Sequence, residues 1–205
     1  MSQFAPRIYL ASNSPRRREL LHQIHVNFEL LLFRGNPRED PDVMEAVLVG
    51  EDPDAYVLRT AHEKAAAGLK RIAARRLYPA PLLAADTTID LDGEVIGKPE
   101  DTAEAEEILH RLSGRTHRVL TAVVVATEQR IEQALSVSEV RIRALEEAEI
   151  RRYVASGEPM DKAGAYGIQG RAGMFIESIN GSYSGIMGLP LYETSMLLRQ
   201  FGYPI

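Results

Sequence analysis

RIYLASNSPRRRELLHQI, residues 7–24, carries three instructions in a row. Residues 7–11 (RIYLA) are a short apolar run of strand type. Ser12, Asn13, Ser14 and Pro15 are turn formers, and Leu20, Leu21 and Ile24 then recur at helical spacing. Ser14 is a good N-cap. Pro15 suits the first helical position, where its missing N–H costs nothing. A strand that turns at once into a helix aims backbone N–H groups and a helix N-terminus at one spot, and such a spot favours anions.

The same grammar continues outward. Residues 28–33 read as a second strand. Residues 34–54, rich in Pro, Gly and acids, read mostly as a long loop. Asp52-Pro53 repeats the cap-and-proline signal and opens a helix to about residue 76, with Tyr56, Ala61, Ala65, Leu69 and Ile72 inward. LLAAD (82–86) is a central-type strand continued by residues 87–90, and Asp92-Gly93 is a two-residue hairpin signal before residues 94–97. Asp101 caps a helix to about Leu112, carrying Ala105, Ile108 and Leu109. Residues 119–127 and 134–142 alternate as paired strands, and residues 146–155 form a helix ending at Gly157. A Gly-rich segment, 164–173, precedes a strand at 174–179, and residues 189–201 form a closing helix. Strands and helices alternate without a strict βαβ rhythm, so the fold class is α/β with a mixed sheet, expected as one domain over 1–205.

Composition bounds the function. The chain has 205 residues, 24 Lys plus Arg against 29 Asp plus Glu, five His and no Cys. A net charge of −5 argues against binding nucleic acid by phosphate neutralisation. The absence of Cys removes disulfides, thiolate metal sites and Cys nucleophiles, and fits a cytoplasmic protein. No apolar run reaches the ~20 residues of a membrane span.

Three segments can carry chemistry. In Ser12-Asn13-Ser14-Pro15-Arg16-Arg17, two hydroxyls, a helix N-terminus and guanidiniums make a phosphate cradle. The alternative is a capped helix with a solvated basic start, although arginine at a helix N-terminus opposes the dipole. In Ala84-Ala85-Asp86-Thr87-Thr88, a carboxylate at the end of an apolar strand is costly unless paired or bound to metal, which makes Asp86 a candidate base or metal ligand. Lys98, just past the hairpin, either returns to the same mouth or is a surface lysine in a turn. In Asp161-Lys162-Ala163-Gly164-Ala165-Tyr166-Gly167-Ile168-Gln169-Gly170, the glycines at 164, 167 and 170 allow close backbone approach to a ligand or to another strand, or simply tight packing with Tyr166 and Gln169 inside it. The five His show no metal-ligand spacing. In GSYSG (181–185) a tyrosine stands where a nucleophile elbow has its serine, so that motif is rejected.

Together, LASNSPRRRELL (10–21), AADTTIDLDGEVIGKPED (84–101), ILHRLSGRTHRVLTAVVV (108–125), SGEPMDKAGAYGIQG (156–170) and GSYSGIMGLPL (181–191) resemble the Maf family of nucleoside triphosphate pyrophosphatases. The resemblance implies a mixed α/β fold with two lobes around a deep cleft, like that of inosine triphosphatases. It implies cleavage of a nucleoside triphosphate to monophosphate and pyrophosphate, a divalent cation (Mg²⁺ or Mn²⁺), and a homodimer. Carried over by motif, Asp86 is the proton acceptor. Arg16, Ser12, Thr87, Lys64 (in HEKAAA) and Lys98 bind substrate, and Gln169 tracks specificity. A family Glu falls at Glu39, with Asp40 as the alternative, and would share a metal with Asp86. Gln169 matches the subgroup acting on dTTP and UTP, whereas a 7-methyl-GTP subgroup tends to have Glu there. A Gln amide donates and accepts, as the edge of uracil or thymine requires, whereas a carboxylate only accepts. Hydrolysis of 7-methyl-GTP, and a non-catalytic nucleotide-binding role in cell-division regulation, are the alternative expectations.

Overall fold

The computed structural model describes residues 7–31 and 46–205. Its elements run β1 (Ile8–Leu10), α1 (Pro15–Gln23), β2 (Phe28–Leu30), α2 (Pro53–Ala74), β3 (Leu82–Leu91), β4 (Glu94–Ile96) and α3 (Thr102–Leu112). Then follow β5 (Thr116–Ala126), β6 (Ile131–Ile142), α4 (Glu147–Val154), β7 (Ile176–Asn180), α5 (Tyr183–Met187) and α6 (Leu191–Gln200). Short 3₁₀ turns lie between α4 and β7. The three helix starts expected from cap residues form as read. Ser14 accepts from the Arg17 N–H, Asp52 from Asp54 and Asp101 from Glu104. The expected α/β class with a mixed sheet is what the chain adopts.

The seven-stranded sheet has the order β2-β1-β3-β5-β6-β7, with β4 also on β3. β2, β1 and β3 are parallel; β3, β5, β6 and β7 are antiparallel neighbours. β5 is buried on both faces and reads as a nearly unbroken apolar run, while β6 alternates. Both are longer at the start than the pattern predicted, because Thr116, His117 and Glu132 are polar yet keep the ladder. The expected strand end at Phe33, part of the 34–54 loop, and both Glu39 and Asp40 lie outside the described residues.

β3 has two different neighbours along one edge. β1 pairs only with Leu82 and Leu83, and the Ala11 N–H donates to the Leu83 carbonyl. β4 takes over only at Ile89–Leu91. Between them, among the described residues, no strand covers residues 84–88 on that side. β5 meanwhile runs unbroken along the other edge, from Leu82 opposite Ala126 to Asp90 opposite Arg118. The hydrophobic clusters divide at the same place. α2 packs one face of the β1 end through Val57, Ala61 and Ala65. α1 and α6 pack the other through Leu20, Leu21, Leu197 and Leu198. The far end of β3 joins α3, α4 and the 3₁₀ turns in a separate cluster around Ile89, Leu109, Tyr153 and Phe175. These are the two lobes, and the cleft opens where β3 loses its edge partner. Among the described residues no helix is long and apolar enough to cross a membrane.

α2 approaches the sheet over Gly68, where an added Cβ would stand 2.4 Å from the Leu82 side chain. Leu82 is fully buried and cannot swing away. Gly68→Ala gains about 1 kcal/mol of helix propensity but overpacks this contact at a cost of about 1–3 kcal/mol. We expect a lower urea midpoint for the variant; a higher one would show that the α2–β3 seam has slack.

Candidate active site

The gap on β3 is filled by side chains from both lobes. They line a cavity of about 310 Å³ that includes Ser12, Ser14, Arg16, Arg17, Lys64, Asp86, Thr87, Lys98, Asp161, Lys162, Tyr166 and Gln169. Every site residue expected from sequence within the described part therefore reaches one cavity, although the chain separates Ser12 from Gln169 by most of its length.

The start of α1 is not a solvated basic turn. Arg17 folds inward. Its Nε donates to the Gly188 carbonyl at 2.7 Å, one terminal nitrogen to Ser12 Oγ at 3.2 Å and the other to Thr87 Oγ1 at 3.2 Å. The Thr87 and Thr121 hydroxyls lie 3.0 Å apart, and Thr121 donates to the Gly185 carbonyl at 2.8 Å. One guanidinium thus joins the first loop, the centre of β3 and the turn after α5. Arg16 instead spans the cleft. It donates to Asp161 Oδ2 at 2.7 Å and to the Asp161 carbonyl at 3.2 Å. Lys162 Nζ holds the other Asp161 oxygen at 2.6 Å. Burial works to raise the Asp161 carboxyl, but the hydrogen bonds from Lys162 and Arg16 outweigh it and keep it below its ordinary value.

Asp86 stands on the exposed stretch of β3 and is largely buried. Lys64, from the middle of α2, donates to its Oδ1 at 2.7 Å. Among the described residues Oδ2 receives no donor. Lys98 lies past the β3–β4 hairpin, where the Gly97 carbonyl accepts from the Gly164 N–H at 2.9 Å and ties the hairpin to the Gly-rich segment. Gly164 itself has φ +71°, and a Cβ there would collide with Ile89, so this crossing admits glycine alone. Beyond it, Tyr166 is buried against His117, with Nε2 and the phenol oxygen 2.8 Å apart. Gln169 sits exposed at the cavity rim, and among the described residues its amide has no hydrogen-bond partner.

Among the described residues no three His, Asp or Glu side chains converge on a point. Asp86 and Asp161 are the carboxylates of the described cavity lining, and Asp161 is occupied by Arg16 and Lys162. A Mg²⁺-like ion usually takes one or two protein carboxylates and completes its shell with water and substrate phosphates. Asp86 suits that donor set.

The sequence profile of the Maf-like protein family matches residues 7–201. The chain belongs to the Maf family. Among its relatives, a dTTP/UTP pyrophosphatase of Aromatoleum aromaticum is 60% identical, with all of both chains aligned. One of Dechloromonas aromatica is 55% identical over 96% of this chain and 98% of its own. One of Chromobacterium violaceum is 49% identical over the whole of both. The solved structure of the Staphylococcus aureus Ham1 protein superposes with a TM-score of 0.50 at 15% identity, covering 95% of this chain and 97% of that one. That likeness concerns the fold.

Reading motifs alone missed several residues that line the Maf cleft or brace its lining. Arg17 lay inside a quoted motif but was overshadowed by Arg16. Thr121 hides in an apolar strand. Asp161 and Lys162 open the candidate segment 161–170, but their pairing with Arg16 across the cleft is not encoded there. His117 was set aside for want of ligand spacing, yet it is 3% exposed and its Nδ1 is buried without a partner among the described residues. Burial pushes its pKa down from 6.5 to about 4. The folded protein therefore holds a neutral ring while the unfolded chain takes a proton. This stability term is intact above pH 6.5 and is lost as pH falls toward about 4. We expect a loss on the order of 2–3 kcal/mol from this group between pH 7 and pH 4. Unfolding free energies from urea titrations at pH 4 to 7 should fall less steeply with falling pH in His117→Gln; an unchanged pH dependence would remove the assignment.

Proposed function

We propose that the protein hydrolyses dTTP and UTP to the monophosphate and pyrophosphate. The observation that carries this reading is the meeting, in one cavity, of a lysine-tethered carboxylate, a cationic wall and an amide that has no hydrogen-bond partner among the described residues. The activity in the names of the relatives at 49–60% identity agrees with it. Free nucleotides are its substrates, rather than nucleic acid or membrane. The reading further entails a cytoplasmic enzyme, with the homodimer implied by the resemblance as its assembly.

The chemistry follows from the layout. The triphosphate lies along Arg16, Lys64 and Lys98, with Ser12 and the N-terminus of α1 toward its phosphates. Asp86 orients a water against the α-phosphorus and takes its proton. The bond from that phosphorus to the bridging oxygen breaks, and pyrophosphate leaves with the negative charge. The cations stabilise that developing charge. Lys64 fixes the direction of the Asp86 carboxylate, while Thr87, tied to Arg17, fixes the strand beneath it. A divalent cation would be held by Asp86, with Glu39 or Asp40 as second acid, and would neutralise phosphate charge. At the other end Gln169 meets the base. Its amide pairs with the adjoining carbonyl and N–H of thymine or uracil; cytosine presents the reverse, an amino N–H beside a bare ring nitrogen, so the direction of the amide sets the preference.

The decisive assay is product analysis on dTTP, UTP, CTP, GTP, ATP and 7-methyl-GTP, with Mg²⁺, Mn²⁺ or chelator. We expect monophosphate and pyrophosphate from dTTP and UTP, with loss of turnover under chelator. Turnover of 7-methyl-GTP alone would keep the reaction and discard the reading of Gln169. Absence of turnover on every nucleotide would leave a nucleotide-binding protein. Asp86→Asn should lower kcat by about 10²-fold or more, the scale of a lost general base, while the variant still folds. Full activity in that variant would exclude Asp86 as base.

A further inference from the structure

The segment that carries Gln169 is a tight turn, closed by the Gly170 N–H donating to the Gly167 carbonyl at 3.0 Å. Gln169 occupies its third position, so the direction of its amide depends on how the turn is held. Both ends of the turn are gripped by the same pair of side chains, neither of which lines the cavity. Tyr153, the penultimate residue of α4, accepts from the Gly167 N–H at 3.3 Å and donates to Glu158 Oε1 at 3.0 Å. The other Glu158 oxygen accepts from the Arg171 N–H at 3.1 Å.

We infer that Tyr153 and Glu158 are positioning residues for nucleobase selectivity, acting as a clamp that sets the orientation of Gln169. The inference rests on the reading of Gln169 given above and adds the device that aims it. Three features separate a clamp from ordinary packing. Both carboxylate oxygens and the phenol oxygen of the pair are spent on the turn and on each other. The contact is also steric, because an added Cβ at Gly170 would stand 2.2 Å from Glu158 Oε1, so the carboxylate lies directly against the turn. Finally, the clamp is anchored in the core. Tyr153 is 1% exposed and stacks edge-on against Phe175, with ring centroids 5.3 Å apart. Burial and the neighbouring Glu158 charge raise the Tyr153 pKa, so the phenol stays protonated and remains a donor. On the phosphate side Arg16 and Lys162 hold Asp161; Lys162 also donates to the Glu158 main-chain carbonyl at 2.5 Å, but the Tyr153 and Glu158 side chains make no hydrogen bond to Arg16 or Asp161.

The test measures kcat and KM for dTTP and CTP, together with inhibition by inorganic pyrophosphate, which probes only the phosphate side. The variants are Tyr153→Phe and Glu158→Gln, with Gln169→Ala as reference. Loosening the clamp should raise KM for dTTP about tenfold and narrow the dTTP/CTP ratio of kcat/KM by a similar factor. The kcat for dTTP should stay within about twofold, and pyrophosphate inhibition should not move. Wild-type selectivity in both clamp variants, with selectivity lost in Gln169→Ala, would overturn the clamp. So would a uniform fall in kcat for both nucleotides accompanied by a shift in pyrophosphate inhibition, since that is the mark of general loosening. Wild-type selectivity in Gln169→Ala would instead refute Gln169 as the reader of the base, and the clamp inference with it. Should Tyr153→Phe fold poorly, Glu158→Gln decides alone, because it keeps the size of the side chain and changes only one hydrogen-bonding end.

Discussion

A β-strand paired along the whole of one edge and, among the described residues, left without a strand partner over residues 84–88 of the other is the constraint from which this molecule's site follows. β3 is secured along its length by β5, so its shape does not depend on the opposite edge. On that edge β1 stops at Leu83 and β4 begins at Ile89. Backbone groups in such an interval must be satisfied by something other than a strand, and the interval opens into the cavity. Asp86 and Thr87 are there because they belong to a rigid central strand and yet face solvent-sized space. A carboxylate on such a strand is held more firmly than one on a loop.

The two arginines of α1 show how similar charges take different tasks. Arg17 is enclosed and ties the first loop to β3 and to the turn after α5. Arg16 reaches the opposite lobe and ends on a carboxylate whose side chain is 57% exposed. An ion pair of that exposure is worth about 0–1 kcal/mol. The lobes are therefore joined by the continuous strands β3 and β5, and the Arg16 guanidinium can exchange Asp161 for a phosphate at little cost. The opposition between arginine and the helix dipole, visible already in the sequence, is met here by a counter-anion from the other lobe.

Much of the fold was legible because its signals are local. Caps followed by proline announced α1 and α2, Asp92-Gly93 announced the β3–β4 hairpin, and the apolar run at 82–86 announced a central strand. Where local signals were weak the reading fell short. α5 is five residues long and begins inside the GSYSG motif, too short for a helical period to show, so its Ser182 cap is not legible in the sequence. β5 and β6 begin earlier than their alternation shows, since polar residues there are paired by the ladder rather than by burial. The site divided in the same way. Asp86, Arg16, Lys98 and Gln169 lie in recognisable motifs. Arg17, Thr121, Tyr153 and Glu158 act through partners distant along the chain, and no spacing encodes such partners.

By itself, then, the sequence determined the kinds of element, the helix starts, the α/β class and the chemical types available to a site. Each of these depends on a few neighbouring residues, through dihedral preference, capping and periodicity. The tertiary structure alone decided where β1 stops against β3, which arginine turns inward and which crosses the cleft. It alone decided that one tyrosine–glutamate pair grips both ends of the Gln169 turn. Those outcomes depend on strand register and on side chains brought together from opposite lobes. A one-residue slip in either would turn the same residues toward other faces.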